Sequence, residues 1–331
     1  MISAVVPTLN RPALLREAIS SLMGQTLPPS ETLVVDDGSN PPVDAAALRA
    51  EFGASVRVLR NDRSMGLAYA RNLGVEEASG RYVVHLDDDD LLAPTTLEDA
   101  ARVLEADAGV ELVFLGVHGF GAHADYFNRV QAEGVAKVID RASGRRVQPR
   151  RVHFDGRLMG AMLKAVPAAF QHVVVPRAVW ETVSKLRWRA YQLSSPNIEL
   201  AQVKKAISGQ LRDSEWALYA AATCRNTVLL DAPHYLARCE GQGTSSRPEN
   251  RERHLHQNIL IKTHLVRATR LPELSPWRSQ ARKSLATMHS DAAYHFFNHA
   301  DRPAAQRHAA RAAQLNPTPR HLKAFIRTFL P

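Results

Sequence analysis

Cysteine is scarce, with only Cys224 and Cys239 in 331 residues. Two thiols so placed form neither a zinc site nor the disulfide framework of a small secreted domain, so a reducing compartment is expected. No apolar run approaches the roughly 18–20 residues that a membrane-spanning helix needs. The start, MISAVVPTLN, lacks the basic region, long apolar stretch and cleavage site of a secretory leader. A cytoplasmic protein is therefore expected. Glycine is missing from Val6-Pro7-Thr8-Leu9-Asn10 after the first apolar run, which excludes the glycine-rich pyrophosphate cradle of dinucleotide-binding folds. Aromatic residues amount to 6%, they do not interleave with the basic ones, and no nucleic-acid-binding module is present. A nucleic-acid partner is not expected.

Lysine is absent from residues 1–120, where nine arginines face eighteen acidic residues, a net charge of −9. Residues 121–331 reverse the balance, with 33 basic and 15 acidic residues. An acidic first part that binds a phosphate compound would do so through a metal. The basic remainder suits an anionic acceptor or a membrane surface, or is an ordinary basic helical face. Length and a hydrophobic content of 45% fit one large or two modest globular domains.

Two periodicities alternate in the first 120 residues. Short apolar runs at 2–6, 32–35, 56–59, 82–86 and 112–115 predict buried parallel strands. Between them, Leu15, Ala18, Ile19 and Leu22 recur at helical spacing after Asn10-Arg11-Pro12, and Leu67, Ala70, Gly74 and Ala78 form a stripe of mostly small residues. The pattern is α/β, a mostly parallel sheet flanked by helices, with ligands expected beyond the carboxyl ends of the strands. We divide the chain into 1–120, 121–250 and a C-terminal helical appendage at 251–331, with helices predicted at 256–270, 277–298, 303–314 and 319–330. The basic stretch 144–151 reads as a loop, and 172–175 as a strand.

Chemistry concentrates at two predicted strand ends. Asp87-Asp88-Asp89-Asp90 follows one strand and Asp36-Asp37-Gly38-Ser39 another. Four adjacent acids repel one another, and a divalent cation with a preference for hard oxygen ligands, Mn²⁺ or Mg²⁺, would relieve the cost. At the second strand end one carboxylate suits a base N–H and its neighbour suits ribose hydroxyls.

The ordered motifs V-V-P-T-L-N-R (5–11), V-V-D-D-G-S (34–39), G-L-A-Y-A-R-N-L-G (66–74), A-S-G-R-Y (78–82) and L-D-D-D-D (86–90) resemble the family-2 glycosyltransferases of the GT-A fold. Further on, Val175-Pro176-Arg177 and Ser214-Glu215-Trp216 lie where that family has its acceptor-side strand and its Glu-Asp-Trp motif. The resemblance implies metal-dependent, inverting sugar transfer from a nucleotide-diphosphate sugar, UDP favoured, to a glycan or lipid-linked acceptor in bacterial surface-polysaccharide synthesis. Carried over, it gives Asp37 the nucleobase, Asp88 the ribose and Asp89 the metal, with Asp87 and Asp90 shaping the site. Pro7, Thr8 and Asn10 then line the nucleotide pocket, and Arg71 either reaches the phosphates or fixes the acids. Glu215 takes the role of general base, with Asp213 as its substitute.

Three departures stand out. Leu9 replaces a base-stacking aromatic, Ser214 replaces the first acid of the acidic pair, and Cys239 falls near a common histidine, for which His234 is a stand-in. They support an alternative, a degenerate transferase domain serving as a helical scaffold or binding protein. At the end of the chain, Leu322, Phe325, Ile326 and Phe329 recur at helical spacing beside Arg320, Lys323 and Arg327. Such a helix either lies on an anionic membrane, at the inner face for this protein, or packs around Tyr294, Phe296 and Phe297.

Overall fold

The computed structural model describes residues 1–164, 166–193, 213–240 and 251–328, with the side chains of Asp213, Arg251, Arg253 and His254 outside that description. Two compact units emerge: Met1–Trp188 with Ile198–Gly243, and Arg189–Asn197 with Thr244–Pro331. The division at 120 separates two halves of one domain, and it falls within the first unit.

In the first unit β1 (Ile2–Thr8), β2 (Glu31–Asp36), β3 (Val56–Arg60) and β4 (Tyr82–His85) alternate with α1 (Pro12–Met23), α2 (Ala45–Phe52) and α3 (Leu67–Glu76). Every residue of β1 and β2 is buried, as continuous apolar runs require of strands covered on both faces. After them come β5 (Leu91–Leu92), α4 (Thr96–Ala106), β6 (Leu112–Phe120), α5 (Ala124–Arg141), β7 (Arg145–Gln148), β8 (Arg151–Asp155), α6 (Met159–Met162), β9 (Val173–Pro176), α7 (Arg177–Gln192), α8 (Asp213–Thr223) and β10 (Asn226–Arg238). The sheet runs β3-β2-β1-β4-β9-β6-β10-β8-β7, with β5 pairing β10. Seven of its ten strands point one way, and β5, β8 and β9 oppose them.

Helix α1 starts with Pro12 at its first turn and buries Leu15, Ala18, Ile19 and Leu22, the set given by the spacing. All four are at most 1% exposed, so truncating Leu22 to Ala would cost about 2–5 kcal/mol. On α3, a Cβ at Gly74 would collide with Val5 Cγ1, so glycine sets how closely this helix approaches β1. Pro7 pairs in register with Val35 of β2, but the Val5 carbonyl accepts from Leu86 on the β4 side, so by alternation the Pro7 nitrogen faces that side too. There it lies past the last pair with β4, and its missing N–H leaves no ladder bond unmade.

The expected loop at 144–151 is instead part of the β7–β8 hairpin. Pairing of β8 with β10, from Asn226↔Asp155 to Leu230↔Arg151, and burial of Val152 and Phe154 supply what the local basic sequence conceals. Tertiary partners decide strand formation here.

The second unit contains α9 (Arg251–Ala268), α10 (Arg278–Asn298), α11 (Arg302–Leu315) and α12 (Pro319–Arg327). Asp301 and Thr318 cap α11 and α12 by accepting from the N–H groups of Ala304 and His321. Ala292, Phe296, Ala304 and Ala305 form one buried cluster, and Leu285, Ala286 and Leu315 another. On α12, Leu322 is 45% and Ile326 59% exposed, so these two members of the apolar stripe do not pack in that core. Phe329 lies outside the described residues.

Candidate active site

Parallel pairing brings the ends of β1, β2 and β4 to one rim. Thr8 stands beside Asp36, the Asp37 N–H donates to the Thr8 carbonyl, and the Leu86 N–H donates to that of Val5. The turn 87–90 thus opens directly beside Thr8 and Asp37.

The four consecutive carboxylates diverge. Asp87 meets Arg71 Nη2 at 2.5 Å. Asp88 accepts from Thr8 Oγ1 at 2.7 Å and from Arg11 Nη1 at 3.1 Å, and the same Arg11 nitrogen reaches Asp89 at 2.7 Å. Asp90 accepts from Tyr235 Oη at 2.9 Å and from the Arg238 N–H at 2.7 Å. Guanidinium and hydroxyl groups of the chain thus offset part of the repulsion among these acids. Among the described residues no group of three or more His, Cys, Asp or Glu forms a metal cage.

Environment separates the four acids electrostatically. Burial pushes the Asp87 carboxyl up, but Arg71 together with His172 and His85 outweighs it and holds the group below the ordinary range. For Asp88 burial prevails over the bonds from Thr8 and Arg11, and its pKa is raised. Asp90 is pushed up to about 7 by burial and the nearby Asp87. Asp89 remains one-third exposed.

Asp37 is 5% exposed, and its oxygens accept from four donors: Asn61 Nδ2 at 2.8 Å, Ser64 Oγ at 2.7 Å, and the N–H groups of Met65 and Gly66 at 2.8 Å each. A carboxylate has about four lone-pair sites. A base N–H can therefore reach Asp37 only by exchange with one of these donors. Gly38, at φ +87°, makes the arrangement feasible, because a Cβ there would lie 2.7–2.9 Å from the backbone of Arg63 and Ser64. Asn10, in the left-handed region at φ 59°, donates its N–H to Ser39 Oγ and accepts from the Asn40 N–H at 2.7 Å. It fixes the 39–40 turn to the end of β1.

On the acceptor side, Glu215 is 1% exposed on α8. Its neighbour Trp216 stacks on Trp180 at 4.3 Å between ring centroids, and Trp180 meets His85 at 4.3 Å. Since His85 ends β4, this aromatic column ties α8 to the strand that carries the aspartates. The Asp213 side chain and the Gly241–Ser246 stretch lie outside the described residues. His234 does not join the cluster. Its carbonyl accepts from Ala93 and Thr96 at the start of α4, and its ring lies in the fields of Asp99 and Arg150.

Residues 3–169 match the sequence model of glycosyl transferase family 2. The chain belongs to that family. An uncharacterized glycosyltransferase of Haemophilus influenzae is 32% identical over 114 residues, which are 34% of this chain and 38% of that relative. The match thus spans under two fifths of the relative's length. Among solved structures, S. aureus TarS 1–349 superimposes with a TM-score of 0.56 at 17% identity, over 98% of this chain and 82% of that one. The structure of TarS 1–349 in complex with UDP-GlcNAc gives a TM-score of 0.51 at 16% identity, over 99% of this chain and 89% of that one. These likenesses establish the GT-A fold.

Within the family-2 frame, sequence reasoning missed Arg11, Tyr235, Arg238 and His172. Arg11 was inside a quoted motif yet served only as a helix-start signal. Tyr235 bridges Asp90 and the Asp87 N–H, and His172 stacks on it at 3.6 Å. Burial takes the His172 pKa down to about 4, so a neutral ring lies against the tyrosine. These residues come from β10 and the approach to β9, distant in sequence from the acids, and only the sheet order brings them there.

Proposed function

We propose that this family-2 protein transfers a sugar, with inversion, from a UDP-sugar or related nucleotide-diphosphate sugar to a glycan or lipid-linked acceptor of the bacterial surface. The observation that carries the proposal is the hydrogen-bonded rim joining Thr8, Arg11, Arg71 and Asp87–Asp89 beside Asp37, at the carboxyl ends of three adjacent parallel strands. TarS, whose structure was solved with UDP-GlcNAc, supports a UDP-sugar as donor.

Thr8 and Arg11 orient Asp88 toward the ribose, while Pro7 and Asn10 shape the wall on the nucleotide side. Asp37 acts on the base together with the 61–66 segment that it organises. Arg71 keeps Asp87 ionised. Asp89, a partly exposed hard-oxygen donor, fits Mn²⁺ or Mg²⁺, since Mg²⁺ takes one or two protein carboxylates and completes its shell with phosphate oxygens and water. The ion would supply Lewis-acid stabilisation of the departing diphosphate. Glu215, with Asp213 as the alternative, takes the proton from the attacking hydroxyl. No helix among the described residues is long and apolar enough to cross a membrane. The exposed Leu322 and Ile326 beside Arg320, Lys323 and Arg327 support peripheral contact with an anionic bilayer.

Thermal melting with UDP, with and without Mn²⁺, together with hydrolysis of UDP-GlcNAc and other UDP-sugars, tests the reading. A metal-dependent rise in Tm and release of UDP are expected. Unchanged melting and no hydrolysis would favour the scaffold alternative suggested by Leu9 and Ser214.

A further inference from the structure

In the helical unit a cavity of about 490 Å³ is lined by Arg267, Arg270, Arg278, Arg282 and Arg311, with Thr269 among the other residues of its wall. No acidic side chain lines it, and among the described residues none of the five guanidiniums makes an ion pair with a carboxylate. Two are oriented by the chain's own oxygens: Arg278 Nη2 donates to the Thr269 carbonyl at 3.0 Å, and Arg311 Nη1 donates to Gln314 Oε1 at 2.5 Å.

Helix dipoles account for part of this arrangement. Arg267 lies in the last turn of α9, where cations are favoured, and Arg311 stands just before the last turn of α11. They do not account for Arg278 and Arg282. Arg278 opens α10, whose first turn holds no acid, and so opposes the dipole, and Arg282, four residues on, is a like charge on the same helix face. An anion in the cavity offsets both costs. Five positive charges exceed what a single carboxylate balances, and planar guanidiniums match phosphate oxygens in pairs.

We infer that this cavity is a binding site for an anion carrying several phosphate groups, either a soluble oligophosphate or phosphodiester chain or the phosphates of a lipid surface. All of its lining residues belong to the helical unit, so the inference stands apart from the sugar-transfer reading.

The test titrates the full chain with sodium tripolyphosphate in EDTA at low salt. It compares the parent with an Arg270→Gln/Arg282→Gln double variant and with an Arg302→Gln/Arg307→Gln control that removes equal charge outside the cavity. All four positions are exposed, so ligand-free melting should match the parent. The expected result is saturable binding weakened at least tenfold in the first variant and little changed in the control. Co-sedimentation with phosphatidylglycerol against phosphatidylcholine vesicles separates the sources. Dependence on Arg270 and Arg282 in the vesicle assay alone assigns the phosphates to a lipid surface, and in the titration alone to a soluble chain. Equal losses in both variants, or no dependence on Arg270 and Arg282 in either assay, would overturn the proposal.

Discussion

Two clusters of like charge in this molecule are handled in opposite ways. At the sheet rim, Asp87 to Asp90 are answered within the chain by Arg71, Thr8, Arg11, Tyr235 and Arg238. In the helical unit, five arginines line a cavity with no acid in its wall. Burial accounts for the difference. A carboxylate removed from water is costly unless paired, whereas an exposed guanidinium keeps its hydration and tolerates isolation. The paired cluster therefore has geometry fixed before any ligand arrives, and the unpaired one retains charge for a ligand to neutralise. A run of acids or bases in the sequence does not reveal which of these cases applies.

The strongest way to break the comparison is at the rim. Asp89→Ala removes a partly exposed acid, so the fold should persist while transfer falls by at least about 10²-fold, read as UDP release with Mn²⁺ present. Glu215→Gln should leave UDP binding intact and lower transfer about 10²–10⁴-fold. If Asp213→Asn is inactive and Glu215→Gln is not, Asp213 is the proton acceptor.

Asp37→Ala asks whether internal pairing also sets stability. The side chains of Asn61 and Ser64 and the N–H groups of Met65 and Gly66 would lose their shared acceptor. A loss of about 1–3 kcal/mol is expected where those donors stay buried, together with weaker UDP binding by calorimetry. Equal loss in stability and affinity would identify the 61–66 segment as the route to the base. Loss of affinity alone would identify a direct contact.

These residues also show where sequence reading works. Motifs at strand ends were legible because a parallel sheet places them on one rim whatever the loops do, so 8, 37 and 87–90 could be gathered without coordinates. The partners of Asp90 were not legible: Tyr235 and Arg238 arrive on β10, whose place beside β6 and β8 depends on long-range pairing. Likewise, the Trp216–Trp180–His85 column joins residues 36 and 95 positions apart, and no periodicity records it.

A smaller effect is expected in the helical unit, where charge is left unpaired and protonation should be resisted. His289 Nδ1 lies 2.8 Å from His308 Nδ1, an arrangement that requires one ring nitrogen to accept. Burial, then His308 and Arg311, take the His289 pKa down to about 4. An unfolded histidine titrates near 6.5, so on acidification the unfolded chain takes up the proton first. Stability present above about pH 6.5 should fall progressively toward pH 4. Thermal melts across that window should show a shallower slope in His289→Gln. An unchanged slope would assign acid sensitivity to other groups.

The smallest change in stability should come from α12, where buried and exposed side chains stand side by side on one helix. His321 is 6% exposed, and its ring nitrogen bonds the Asn316 carbonyl at 2.6 Å, while Leu322 and Ile326 face solvent. Replacing both exposed residues by Ser removes apolar area that is already hydrated, so Tm should move little. On a bilayer the same side chains would be buried, each contributing roughly 1.5–3 kcal/mol, with Arg320, Lys323 and Arg327 adding attraction to anionic headgroups. The double variant should therefore lose salt-sensitive co-sedimentation with phosphatidylglycerol vesicles while retaining Arg270 and Arg282. A clear fall in Tm with unchanged sedimentation would instead make the stripe a packing surface, and would leave the arginine cavity as the helical unit's route to anionic lipid.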